Sequence, residues 1–387
     1  MHTIIRTRVI RPFSPVPIKP PKFCRQLSTD DTLKRICDLR EHPKVKGKNP
    51  SSVRVVVGLS GGVDSSVTAL LLKEAGFNVS AAFMHNWECT SKEDYASAQE
   101  VCHHLDIPLH RVEYVKEYWN QVFQQFIEDL RKGITPNPDV NCNREIKFNR
   151  FYKYATETLG ADFLATGHYA TIGWCGDEEV RLMRSVTEDK DQTYFLSTVT
   201  QEPLKRVIFP LGDMHKSEVR AIAKRSGLPT AGRKDSTGIC FVGKTDFKEF
   251  VNQFIEPRPG GRSEGFRLIK ANHEGAHLYT TGQSIRVSGQ PSRLFVCGKN
   301  NENNTVYVCK EDHPLLYSST AQVSYFQWIG QRPPNIQGRR ALQCNIEVGT
   351  EVRYRRAQPV GQEEVKEETH CPSNLMASQK LSHQGKY

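Results

Sequence analysis

Val53-Arg54-Val55-Val56-Val57-Gly58-Leu59-Ser60-Gly61-Gly62-Val63-Asp64-Ser65-Ser66 decides the fold. A β-branched run ends at a glycine pair and continues directly into Val67-Thr68-Ala69-Leu70-Leu71-Leu72-Lys73-Glu74-Ala75-Gly76. The first part reads as a buried strand, the second as a helix closed by a C-terminal glycine. Phe77 to Met84 supplies another apolar run, which completes a βαβ unit. The turn has a chemical use. Gly61 and Gly62 let backbone N–H groups face an anion, and the helix start adds the positive end of its dipole. Ser60, Ser65 and Ser66 offer hydroxyl donors, and Asp64 can orient a metal ion carried by a nucleotide. No Gly-Lys-Ser/Thr follows, which excludes the Walker loop, and the Gly-x-Gly-x-x-Gly dinucleotide fingerprint is absent.

The 387 residues leave room for two or three domains, and 37% hydrophobic with 25% charged residues fits a globular protein. No apolar run approaches the roughly 20 residues that span a bilayer, so no membrane role is expected. Eleven scattered cysteines without a Cys-x-x-Cys pair argue against a disulfide scaffold or structural zinc and for a reducing compartment. Net charge is +10, and Arg6, Arg8, Arg11, Lys19, Lys22 and Arg25 all precede the first acidic residue, Asp30. The mildly basic remainder permits nucleic-acid binding without demanding it. Residues 1 to 29 are basic, acid-free and carry hydroxyls, and Met1 to Arg11 can place apolar and basic residues on opposite helical faces. That composition predicts a mitochondrial transit peptide and a matrix address. Residues 1–52 are therefore assigned to transit peptide and leader.

Beyond the βαβ unit, Tyr95–Leu105 reads as a helix, Leu109–Val115 as a strand and Tyr118–Leu130 as a helix whose spaced aromatics belong to the core. The segment Thr135-Pro136-Asn137-Pro138-Asp139-Val140-Asn141-Cys142 is an extended, stiff loop entering a helix from about Asn141 to Leu159. Cys142 then sits at a helix N-terminus, where the dipole enriches the thiolate, with Asp139 placed to take or give a proton. The plainer alternative is a small buried hydrophobe. Ala161 to Ala170 is another strand running into a turn at Gly167, and His168 by itself reads as structural. Lys190-Asp191-Gln192 precedes an apolar run. Lys216–Ser226 reads as a helix closed by Gly227, and Cys240 falls in a glycine-flanked loop, Asp235 to Gly243. From about Leu268 short alternating segments, separated by turns such as Gly298-Lys299-Asn300-Asn301, predict a small all-β domain. Gly361 to Tyr387 is polar and aperiodic, which predicts disorder.

Ser-Gly-Gly-x-Asp-Ser resembles the PP-loop of ATP pyrophosphatases. Together with Pro136-Asn137-Pro138-Asp139-x-x-Cys142, Thr166-Gly167-His168-Tyr169-Ala170, Lys190-Asp191-Gln192 and Asp235-Ser236-Thr237-Gly238-Ile239-Cys240-Phe241, it resembles the MnmA family of tRNA-specific 2-thiouridylases, in its mitochondrial form, from about Val53 to Arg355. The resemblance implies an α/β, PP-loop (adenine nucleotide alpha hydrolase-like) parallel-sheet domain at 53–215. A small linker domain at 216–285, a truncated β-barrel at 286–356 and a disordered tail at 357–387 would follow. The barrel is expected to be short because the polar tail stands where further strands are implied.

The same resemblance implies ATP with Mg2+, adenylation of the C2 oxygen of a wobble uridine, and displacement by persulfide sulfur from a donor protein. Gly58, Leu59, Ser60, Gly61, Gly62, Val63, Asp64, Ser65, Met84 and Gly167 would bind ATP. Asn137, Pro138 and Asp139 would meet the target base. Cys142 would be the nucleophile, Cys240 the persulfide carrier and Asp139 the acid/base. His168, Lys190, Asp191, Gln192, Arg353 and Tyr354 would contact tRNA. The cysteines would form a transient disulfide. The partners implied are the tRNA anticodon stem-loop and an upstream sulfur carrier or cysteine desulfurase system. Two alternatives stay open: an inactive, truncated isoform that binds tRNA or ATP, and another PP-loop ligase. The family has Lys where His85 stands and Arg where Thr171 stands, and Tyr279 to Ser284 departs from its Leu-Gly-Gln-Arg stretch.

Overall fold

The computed structural model describes residues 3–6, 45–87, 92–175, 179–235, 238–243, 245–264, 272–317, 320–323 and 327–329. The chain divides into two compact units. One comprises Ser14–Val122 and Asp139–Gly243, the other Met1–Phe13, Phe123–Pro138 and Lys244–Tyr387.

The first unit is built on a five-stranded sheet in the order Leu109–Glu113, Asn78–His85, Arg54–Gly58, Phe163–Thr166 and Val207–Ile208. Every pairing is parallel, with Val55 opposite both Val79 and Phe163. Arg54–Gly58 is central and buried from its second residue onward. A strand covered on both faces needs apolar side chains on both, which explains an unbroken valine run instead of an alternating one. Helices Val63–Glu74, Lys92–Leu105 and Lys216–Arg225 pack around it. Val55, Val57, Leu59, Leu71 and Ile222 meet in one core. Gly76 closes the first helix at φ +87°, a left-handed value that glycine adopts without strain.

Two helical stretches differ from expectation. The 115–131 segment is not one α-helix: Val115–Tyr118 and Gln124–Arg131 flank a π-helical turn, Trp119–Phe123. Its aromatics Tyr118, Phe123 and Phe126 are buried as anticipated, whereas Trp119 is exposed. The second stretch begins at Pro138 instead of Asn141, with one α-turn, Pro138–Asn141, leading into the π-helical Cys142–Phe151.

In the second unit a five-stranded sheet runs in the order Asn272–His273, Gly260–Glu264, Thr305–Cys309, Leu294–Asn300 and Ser284–Ile285. Its pairings are antiparallel except for Thr305–Cys309 with Gly260–Glu264. Ile285, Val287, Leu294, Val296, Val306 and Val308 form its core. The sheet draws strands from both sides of the 285/286 boundary. The turn expected at 298–301 lies later, because Leu294–Asn300 pairs through to its last residue and the chain reverses at 301–304, with Asn304 at φ +52°. Thr3–Arg6 is a strand antiparallel to Thr320–Val323, not the helix its periodicity allowed; backbone pairing supplies hydrogen bonds that an isolated short helix lacks. Arg353, Tyr354 and the tail lie outside the described residues. Among the described residues no helix is long and apolar enough to cross a membrane.

Candidate active site

The loop between Arg54–Gly58 and Val63–Glu74 is held by its own hydroxyls. Ser65 Oγ accepts from Ser60 N at 3.2 Å, lies 3.1 Å from Ser60 Oγ and donates to Gly62 O at 3.1 Å. Ser66 Oγ donates to the same carbonyl at 2.8 Å. Ser65 and Ser66 are buried, so they shape the loop, and Ser60 is the exposed hydroxyl of the three. Gly61 has φ +78°, and a Cβ there would run into the carbonyl oxygen of Asp94. At Gly167 a Cβ would come within 2.8 Å of Ser65 N, so the turn after Phe163–Thr166 lies against the helix start. A Cβ on Gly58 would meet Phe151 at 3.1 Å and Met84 Cε at 3.6 Å. Met84, Gly58 and Gly167 therefore border one loop, whose first-turn N–H groups at Val63, Asp64 and Ser65 have no helical carbonyl to bond. Leu59 is buried beneath it. This is a fit for a polyphosphate.

Cations that sequence reasoning missed surround the loop. Lys216 Nζ donates to both Asp64 oxygens, at 2.6 and 2.8 Å, and lies 2.9 Å from Asp235. Tyr169 donates its hydroxyl to Asp64 at 2.9 Å. Arg233 donates to Gly61 O at 2.9 Å and to Asp94 at 2.6 Å. Asp235 further accepts from Arg220 at 2.5 Å and Lys190 at 2.8 Å. Desolvation alone would raise the Asp235 carboxyl, but hydrogen bonds from Lys190 and Lys216 and their charges hold it well below the usual carboxylate range. One sequence signal could have found part of this: Lys216 and Arg220 stand four apart, on one face of a helix.

The two cysteines belong to the same unit as the loop. Cys240 is exposed, in a turn between Gly238 at φ +86° and Gly243 at φ +61°. Its neighbour Phe241 is buried against Trp87 (5.6 Å between ring centroids) and Tyr118 (6.1 Å), which anchors the turn. Cys142 is buried, in the second turn of its helix and not at its start. Burial pushes its thiol up to about 12 against the lowering charge of Lys147, so the expected thiolate enrichment by the helix dipole is overridden. Although the residue is exposed, desolvation raises the Cys240 thiol as well, again opposed by Lys147. The Lys147 charge lowers Cys142, Cys240 and Asp139 alike, and Asp139 raises both thiols, so these four groups are electrostatically coupled. Asp139 is raised by desolvation, with Lys147 opposing. A carboxyl moved toward neutrality suits proton transfer.

Lys190, Asp191, Gln192 and His168 are committed to protein partners. Lys190 holds Asp235, as above. Asp191 is buried and accepts from Thr193 Oγ1 at 2.8 Å and Ser185 N at 3.1 Å. Gln192 Oε1 accepts from Tyr169 N at 3.0 Å. His168 is buried, 2.7 Å from Thr166 Oγ1, and desolvation together with Lys147 keeps it neutral. In this structure these residues brace the loops around Tyr169 and Asp235. Asn137 and Pro138 immediately precede Asp139, where the chain passes from one unit to the other.

A parallel sheet with a glycine-bent anion loop at its carboxyl edge defines a PP-loop protein of the ATP-pyrophosphatase type. Family models described as tRNA methyl transferase HUP domain and tRNA methyl transferase PRC-barrel domain match residues 53–244 and 248–310. The chain is 48% identical over 298 residues to the tRNA-specific 2-thiouridylase MnmA of Halalkalibacterium halodurans, covering 74% of this chain and 80% of the relative. It is 48% identical over 283 residues to that of Lysinibacillus sphaericus (70% and 75% covered) and 46% over 292 residues to that of Bacillus subtilis (73% and 78%). The chain belongs to the MnmA family of tRNA-specific 2-thiouridylases.

Proposed function

We propose that this chain carries out ATP-dependent 2-thiolation of the wobble uridine of tRNA. The observation that carries the reading is the presence, in one unit, of a polyphosphate loop and a neighbourhood of two cysteines and a raised carboxyl. A uridine carbonyl is a poor electrophile, so its O2 is first adenylated by ATP with release of pyrophosphate. Gly58 to Ser65, Met84 and Gly167 hold the nucleotide, and Asp64 would hold a magnesium ion that offsets the phosphate charge. Asn137, Pro138 and Asp139 meet the base, with Asp139 moving the proton.

A persulfide on Cys240 supplies the sulfur. Its terminal sulfur attacks C2, and AMP leaves with the former carbonyl oxygen. The Cys142 thiolate then attacks the Cys240 sulfur, which breaks the S–S bond to the transferred sulfur and leaves a Cys142–Cys240 disulfide. A thiol reductant from the sulfur-donor system resets it. The basic, acid-free first 29 residues support a mitochondrial-matrix address; import of a fluorescent fusion of residues 1–52 tests this. Arg353 and Tyr354 remain the candidate tRNA contacts of the distal segment.

The deciding experiment is transfer of labelled sulfur to an anticodon stem-loop with an unmodified wobble uridine, given ATP, magnesium and a persulfide donor. Label is expected in the RNA only with ATP and both cysteines, and Cys142→Ser or Cys240→Ser should abolish it. Activity that survives both substitutions would point to another PP-loop ligase. Binding of ATP or RNA without transfer would point to an inactive binding protein.

A further inference from the structure

Tyr118 is fully buried, and its hydroxyl finds no hydrogen-bond partner among the described residues. Leaving such a group unpaired costs on the order of 1–3 kcal/mol, so the orphan calls for an explanation, and a ligand atom beside the reactive thiols is one. The ring packs edge-on against Phe241, the residue after Cys240. The charges of Cys142 and Cys240 act on the Tyr118 hydroxyl, and Lys147 lies on the helix that carries Cys142. At 3.6 residues per turn, residues five apart point about 140° away from each other. Cys142–Phe151 is π-helical, and closure over five residues turns Lys147 onto the face of Cys142.

The ammonium is also aimed. Its Nζ lies 3.5 Å from His168 Nε2, and an ammonium can only donate. Nε2 therefore accepts, the neutral ring carries its proton on Nδ1, and that proton is donated to Thr166 Oγ1. Phe148 and Phe209, at 5.7 and 5.9 Å, hold the imidazole between them.

We propose that Lys147 and Tyr118 form an anion pocket for the transferred sulfur, the ammonium and the hydroxyl stabilising the negative sulfur on Cys240 and then on Cys142. The pocket rests on the sulfur-transfer reading for its purpose, but not for its existence. Lys147 is the cation that lowers Cys142, Cys240 and Asp139 alike. The other titratable groups acting on the thiols, Cys240 and Asp139 for Cys142 and Asp139 and Asp94 for Cys240, raise them. Burial keeps Tyr118 protonated, hence a donor. Nothing is transferred to either residue: in the exchange the S–S electron pair leaves with the released sulfur, and Lys147 and Tyr118 only offset the charge.

The test is the rate of iodoacetamide alkylation of Cys142, Cys240 and, as a control, Cys102, followed by peptide mass spectrometry from pH 6 to 10 in the full chain without RNA or ATP. Lys147→Met should move the profiles of Cys142 and Cys240 alkaline and slow both about tenfold at pH 8, since a thiol that titrates about one pH higher holds roughly a tenth of the thiolate. Lys147→Arg should restore most of the rate, and Cys102 should not move. Tyr118→Phe should move the same two profiles by less while leaving thermal stability equal or higher, because it deletes an unpaired buried hydroxyl. Unchanged profiles in both Lys147→Met and Tyr118→Phe overturn the proposal. If Lys147→Met fails to fold, the Tyr118→Phe profile decides by itself. Displaced profiles in a protein that thiolates no RNA would uphold the pocket and sink the function proposed for it.

Discussion

Gly61 carries two constraints at once. Its φ of +78° is a backbone state that side chains avoid, and the space a Cβ would take belongs to the Asp94 carbonyl. Gly61→Ala therefore costs about 1–3 kcal/mol from strain alone, and relief of the overlap has to open the loop. A lower melting temperature together with weakened ATP binding by calorimetry is the expected result; unchanged binding would mean the loop tolerates reshaping. Lys216 presents a different case, a side chain whose charge is already spent on Asp64 and Asp235. A polyphosphate entering the loop competes for that ammonium, and a charge-assisted hydrogen bond contributes about 1.5–3 kcal/mol. Lys216→Met should raise the ATP Kd by roughly tenfold to a hundredfold.

Among the elements, the strand–loop–helix at 54–74 was readable because burial on both faces and a left-handed turn each leave a mark on residue type: valines in one, glycine in the other. The network around Asp235 was not. Lys216 and Arg220 look like the solvated side of a helix, and only folding brings Lys216 to Asp64, which is 152 positions away in the chain. The π-helical winding at Cys142–Phe151 was equally hidden, since apolar spacing signals a helix without fixing its pitch. The helix start at Pro138, four residues before Cys142, and the burial of its side chain make Cys142 a buried thiol instead of a helix-terminal thiolate. The Asp235 network makes its own prediction. Its carboxyl has a folded value below the ordinary one, so the stability it contributes is present above about pH 4 and is lost as pH falls through the folded value. Asp235→Asn should destabilise by roughly 1 kcal/mol at pH 7, a modest figure because the pairs are partly exposed. In urea titrations the gap from the parent chain should hold from pH 7 to 5 and narrow progressively below about pH 4, as the unfolded chain takes up the proton first. A gap as wide at pH 3 as at pH 7 would show that the network does not act through the Asp235 charge.

At the scale of the molecule, each unit has a core of its own among the described residues. Val55, Val57, Leu71 and Ile222 belong to one, Leu294, Val296, Val306 and Val308 to the other. Beyond the leader the backbone passes between the units after Val122, Pro138 and Gly243, so the catalytic unit is discontinuous in sequence, interrupted by Phe123–Pro138. The residues proposed for ATP and for the cysteine chemistry fall in the first unit, apart from Asn137 and Pro138 at the crossing. A packing defect confined to the β-rich core should then separate stability from nucleotide binding. Val306 is fully buried with Val296 and Val308 in that core. Removing two methyls by Val306→Ala leaves a cavity that costs about 2–3 kcal/mol. The expected outcome is a second, earlier unfolding transition in calorimetry that ATP does not move, beside a later one that ATP raises, with the ATP Kd of the folded protein unchanged. A single transition that moves with ATP would mean the two units unfold as one cooperative body, with the crossings at 122, 138 and 243 coupling the sheet to the site.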